Sequence, residues 1–114
     1  MGYFVYKLIP PRPTFVDDQS REESAVMRRH AGYWSTLTAQ GVAVLFGPVA
    51  DPHGVWGLAI VEAGTAHDVH ELADEDPAVS SGVCSYAVFP MLSATLRPDA
   101  ALSCGDRETL RPER

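Results

Sequence analysis

Few side chains in this sequence are suited to moving a proton, holding a metal or attacking a carbonyl, and their positions are telling. His30 falls in the apolar stripe Val26, His30, Tyr33 or Trp34, Leu37, which recurs at helical spacing. Imidazole is the side chain best matched to proton transfer near neutral pH. On spacing alone, though, a histidine in such a stripe reads as a core residue with one nitrogen bonded to backbone. Tyr33 and Trp34 follow it by three and four positions, so they lie beside it on the helix as core or pocket wall.

Asp76 follows Asp74 and Glu75 at the end of a second helical segment, where the helix dipole and two like charges disfavour one more carboxylate. The local reading is that it caps a turn that opens with Pro77. Arg12, set among Pro10, Pro11 and Pro13, reads as a solvated loop residue, with attraction of an anionic substrate as the functional alternative. His67 and His70 share one side of a helix at a spacing that metal sites use, but no third ligand stands near them, and no metal is expected. Cys84 has no basic neighbours to activate a thiolate and reads as a small buried residue. No phosphate loop, nucleotide fingerprint or serine elbow is present, so no cofactor is expected.

The elements that must position these residues follow from pattern. Tyr3 to Ile9 is an aromatic and β-branched run stopped by Pro10-Pro11-Arg12-Pro13, hence a first strand. Ser20-x-x-Glu23 has the form of a capping box and Gly41 ends the periodic pattern, giving a first helix from about Ser20 to Gln40. Val42 to Val49 and Val55 to Glu62 flank Asp51-Pro52-His53-Gly54 and form a hairpin. Thr65 caps a second helix from Ala66 to Glu75, ended by Asp76-Pro77, and Val83 to Met91 is the last strand. The order β-α-β-β-α-β predicts an α+β fold of the ferredoxin-like type: a four-stranded antiparallel sheet with two helices on one face.

The strands do not alternate apolar and polar residues, as strands with one wet face do. Phe4, Tyr6 and Leu8 lie on one face of the first strand and Tyr3, Val5 and Ile9 on the other, and Val42 to Phe46 and Tyr86 to Phe89 are apolar on both faces. Two helices cover one side only, so a homodimer with sheets packed face to face is expected.

Length and composition bound the rest. With 114 residues, 46% hydrophobic and 21% charged, the chain has the balance of one folded domain. A net charge of -6 with Lys7 as its sole lysine argues against a nucleic-acid partner. No apolar run approaches membrane-spanning length and the start lacks a signal-peptide pattern, so the expected location is the cytoplasm and no membrane partner is expected. Cys84 and Cys104 read as free thiols. The domain is expected over residues 1–96, with residues 97–114 a poorly ordered tail of charges, proline and small residues.

Taken in order, Tyr3-Phe4-Val5, His30-x-x-Tyr33-Trp34, Phe46-Gly47-Pro48, Gly57 and Asp76-Pro77 give the chain a resemblance to the YciI-like (YCII-related) family of dimeric α+β barrel proteins, over roughly residues 1–92. The resemblance implies a dyad of the helix-one histidine and the aspartate of the Asp-Pro step, which here are His30 and Asp76, in a pocket between helices and sheet. It makes those two the catalytic candidates; Tyr33 and Trp34 by their place beside His30, and Arg12 by its charge, are the substrate-binding candidates. With such a dyad and no cofactor motif, the function expected is a cofactor-free enzyme acting on a small molecule by general acid/base chemistry, of isomerase, lyase or dehydrohalogenase type. The alternative is a non-catalytic dimer that binds a small ligand or a protein, and a haem or flavin-free oxygenase of the same barrel type is a weaker third reading.

Overall fold

The computed structural model describes residues 1–98. The expected tail lies almost wholly outside the described residues. Strand β1 (Gly2–Ile9) leads through a proline loop and a one-turn helix α1 (Phe15–Asp18) to the long helix α2 (Arg21–Ala39). A hairpin of β2 (Ala43–Val49) and β3 (Trp56–Ala63) follows, then α3 (Ala66–Glu75), a second one-turn helix α4 (Pro77–Ser80) and β4 (Ser85–Pro90).

Local chemistry sets these boundaries. The Ser20 hydroxyl accepts from the Glu23 N–H while the Glu23 carboxylate accepts from the Ser20 N–H, so the predicted capping box starts α2. Gly41, with φ of 82°, ends it in the left-handed region that side chains avoid. Thr65 and Asp68 form a second capping box at the start of α3. Asp76 ends α3 in extended backbone and caps α4, accepting from the Ala78 N–H, with Pro77 in the first turn where a missing N–H costs nothing. Strand β4 begins two residues later than the pattern predicts, because the Cys84 N–H bonds back to the Ala78 carbonyl at 2.8 Å instead of joining the sheet.

All strand pairs are antiparallel and the sheet order is β2-β3-β1-β4. With two main helices this is the ferredoxin-like α+β fold that the element order predicts. Register divides the side chains between two faces. Phe4, Tyr6 and Leu8 stand opposite Val61, Ala59 and Gly57 on β3, and opposite Pro90, Val88 and Tyr86 on β4. This face meets Val26, Trp34 and Leu37 of α2 and Val69 and Ala73 of α3 in the core. A bulge between Ala43 and Leu45 keeps Ala43 and Phe46 on the same inner face.

The other face carries Val5, Leu58 and Ile60, half-buried, with Leu45 47% exposed, Phe89 52% exposed and Ile9 37% exposed. No helix of the described residues covers it. None is long and apolar enough to cross a membrane.

Candidate functional site

Asp76 is fully buried, and it is the sole charged side chain in the core of the described residues. Its position follows from the Asp-Pro step, which turns the chain sharply between α3 and α4 and aims the carboxylate inward. Oδ2 accepts from the Tyr6 hydroxyl at 2.9 Å and from the Trp34 indole N–H at 2.8 Å. Oδ1 accepts from the Ala78 N–H at 2.9 Å and from His30 Nδ1 at 2.9 Å. A strand, a long helix and a backbone amide therefore converge on one carboxylate. Burial pushes the Asp76 carboxyl up, but the hydrogen bonds from His30, Trp34 and the Ala78 amide outweigh it and leave the group below its ordinary value. The same burial, reinforced by the neighbouring carboxylate, drives the Tyr6 hydroxyl far above the usual tyrosine range, so it stays a donor.

A carboxylate accepts only, so the His30 nitrogen facing it is Nδ1–H, and in the neutral ring the lone pair lies on Nε2. The ring also lines a cavity of about 220 Å³ between α1, α2 and the sheet. With Nδ1 engaged by Asp76, Nε2 is the nitrogen left to meet a ligand. The cavity is walled by aromatic and aliphatic groups, among them Phe15, Met27, Trp34, Phe46 and Trp56. Gly57 contributes by lacking a side chain: a Cβ there would stand 3.1 Å from the Leu8 Cβ, crowding the cavity floor.

The structure thus brings His30, Asp76 and Trp34 together. Tyr33 sits apart from the cavity: its hydroxyl donates to the Leu72 carbonyl at 2.6 Å, tying α2 to α3, and its ring packs edge-on against Trp34. Arg12 is also outside the cavity wall. Its guanidinium donates to the Asp18 carboxylate and carbonyl and to both Glu23 oxygens, at 2.8–3.0 Å. Paired in this way it clamps α1 to the first turn of α2, and the charge assistance holds the Glu23 carboxyl at about 2.

His67 pairs loosely with Glu71 at 3.7 Å, and His70 Nδ1 lies 2.8 Å from the Tyr86 hydroxyl. Among the described residues no three metal-ligating side chains gather. Cys84 is buried, which pushes its thiol up to about 11 and keeps it protonated at neutral pH.

Two features of the site are not apparent from the sequence. Tyr6 reads there as one more inward residue of a strand, and its partner is 70 positions away. Helix α1, too short to show a period, supplies Phe15 and Val16 to the cavity wall and precedes Gln19.

Fold and site together define a ferredoxin-like α+β domain with a histidine held by a buried aspartate at the wall of an apolar cavity. The model of the YCII-related domain matches residues 3–92, and the chain belongs to that family. Among solved structures it is similar to 5-chloro-2-hydroxyhydroquinone dehydrochlorinase from Burkholderia phenoliruptrix AC1100, in complex with 2,5-dihydroxybenzoquinone. That likeness has a TM-score of 0.53 at 19% identity and covers 77% of this chain and 90% of the other. At this identity it speaks to the fold. No curated protein matches the sequence.

Proposed function

We propose that this protein is an enzyme acting on a small organic molecule by proton transfer, with His30 as general base and acid and Asp76 as its positioning partner. The observation that carries the reading is the bond from His30 Nδ1 to a buried, anionic Asp76 on a ring that also walls a cavity. Asp76 fixes the tautomer and stabilises the imidazolium once Nε2 has taken a proton. The pair needs no cofactor to do this. Membership of the YCII-related family and the fold likeness to a dehydrochlorinase support a small-molecule enzyme.

Two reaction types fit one base. In an elimination, Nε2 takes a proton from the substrate, the electron pair of the broken bond forms a new π bond, and the leaving group departs with its own pair. In an isomerisation, the protonated Nε2 returns the proton to a different atom of the same molecule. Trp34 serves as cavity wall and as a second anchor of Asp76, while Tyr33 and Arg12 act from outside, bracing the helices that carry the site.

The working unit we propose is a homodimer. Leu45, Phe89 and Ile9 are exposed on a sheet face that already carries Val5, Leu58 and Ile60. Covering about 400 Å² of it is worth about 10 kcal/mol, set against association costs of about 4 to 15 kcal/mol.

The test is a screen of hydroxylated and halogenated aromatics and keto acids in deuterated water, read by deuterium incorporation and chloride release. Turnover by the wild type that disappears in His30→Ala, with the fold retained, supports the enzyme. Binding without turnover of any compound, or turnover that survives in His30→Ala, contradicts it, and the former leaves the binding module.

A further inference from the structure

The cavity wall holds five side chains with polar atoms: Tyr6, Gln19, His30, Trp34 and Trp56. Three of them are committed elsewhere. The Tyr6 hydroxyl and the Trp34 indole N–H donate to Asp76, and the Trp56 indole N–H donates to Asp51 Oδ2 at 3.0 Å. Among the described residues no lysine, arginine or carboxylate stands in the wall. Besides the Tyr6 oxygen, which keeps an acceptor lone pair, the side-chain groups left for a ligand among the described residues are His30 Nε2 and the amide of Gln19.

The Gln19 amide is oriented. Its Oε1 accepts from the Ser24 hydroxyl at 3.1 Å, which leaves the NH2 group as the unspent end. The residue is also held in place from both sides. Arg12 grips the carbonyl of Asp18 just before it, and the capping box fixes Ser20 just after it, with Glu23 shared between the two. Such a group is pre-organised to donate to an oxygen at little entropic cost.

We propose that Gln19 is a specificity-determining residue whose amide N–H donates to an acceptor oxygen of the ligand while His30 Nε2 meets its acidic group. This rests on the reading of the cavity as the ligand site given above and names the ligand class. A cavity of about 220 Å³ takes one six-membered ring with a few substituent atoms, since a cavity near 150 Å³ already admits benzene. The aromatic wall favours a flat ring, and with no cationic side chain in it among the described residues, it disfavours phosphorylated or multiply anionic compounds. The ligand is a single-ring phenol or enol that also carries a carbonyl-type oxygen.

Calorimetric titration with p-cresol and with 4-hydroxybenzaldehyde tests this, because the two probes match in size and differ in the acceptor oxygen. The wild type is expected to bind both. Gln19→Leu should weaken 4-hydroxybenzaldehyde about fivefold to tenfold, the worth of one hydrogen bond, and leave p-cresol within about twofold. Gln19→Glu, which adds an acceptor and a charge, should weaken the aldehyde at least as much. Equal effects on both probes, or none on either, overturn the role of Gln19 while the His30 reading stands on its turnover data. Failure of the wild type to bind either probe overturns the ligand class and, with it, the cavity as the ligand site.

Discussion

The hydroxyl of Tyr6 donates to Oδ2 of Asp76 across 70 residues of sequence, joining the central strand β1 to the Asp-Pro step at the end of α3. Together with the Trp34 N–H it occupies the carboxylate oxygen that His30 approaches less closely, 3.1 Å against 2.9 Å for Oδ1. The carboxylate is thereby held in place where His30 Nδ1 meets it.

Tyr6→Phe keeps the ring in the core and removes this donor alone. A hydrogen bond to a buried charge is worth about 1.5 to 3 kcal/mol. The variant should melt about 6 to 12 °C lower by circular dichroism, and an unchanged Tm would mean that Trp34 and His30 hold Asp76 without Tyr6.

Acid should destabilise the protein in a defined window. Glu23 stands at about 2 against an ordinary 4.5, held down by Arg12, and Asp76 is also depressed from its ordinary 3.8, its burial outweighed by bonds from His30 and Trp34. Groups with depressed folded values contribute stability that is complete above their unfolded values and is lost as pH falls through the folded ones. Thermal melts should therefore show no carboxylate-linked loss down to about pH 5, then a falling Tm between about pH 4.5 and 2. Glu23→Gln should flatten part of that fall, and a profile identical to that of the wild type would remove Glu23 from the account.

The open sheet face gives a third expectation. Light scattering at micromolar concentration should report a dimer for the wild type. Leu45→Lys combined with Phe89→Lys places two charges on that face at positions about half exposed in the monomer, 47% and 52%, and should yield folded monomers. A double variant that stays dimeric would place the interface elsewhere.

The ordered elements are legible in the sequence because short-range chemistry specifies them. Ser20 and Glu23 sit three apart and cap α2, and Asp76 precedes a proline and caps α4. The two-sided apolar strands likewise announce the open face. What does not show is any relation that depends on register. Tyr6 reaches Asp76 because β1 is central and its even residues face the helices, a fact that follows from strand pairing and not from the residues of β1. Arg12 has its partners Asp18 and Glu23 nearby in sequence, yet only the turn of α1 folds them around one guanidinium. Gln19 carries no pattern at all, and its place in the wall comes from the same turn.

The arrangement of His30 is open to direct observation by long-range ¹H–¹⁵N NMR of the imidazole, with p-cresol added in steps. The account predicts a proton on Nδ1 held toward Asp76, and a ligand-dependent change in the Nε2 resonance while Nδ1 stays at its Asp76-bound position. A neutral ring protonated at Nε2 alone, or p-cresol binding that leaves Nε2 unmoved, would contradict it.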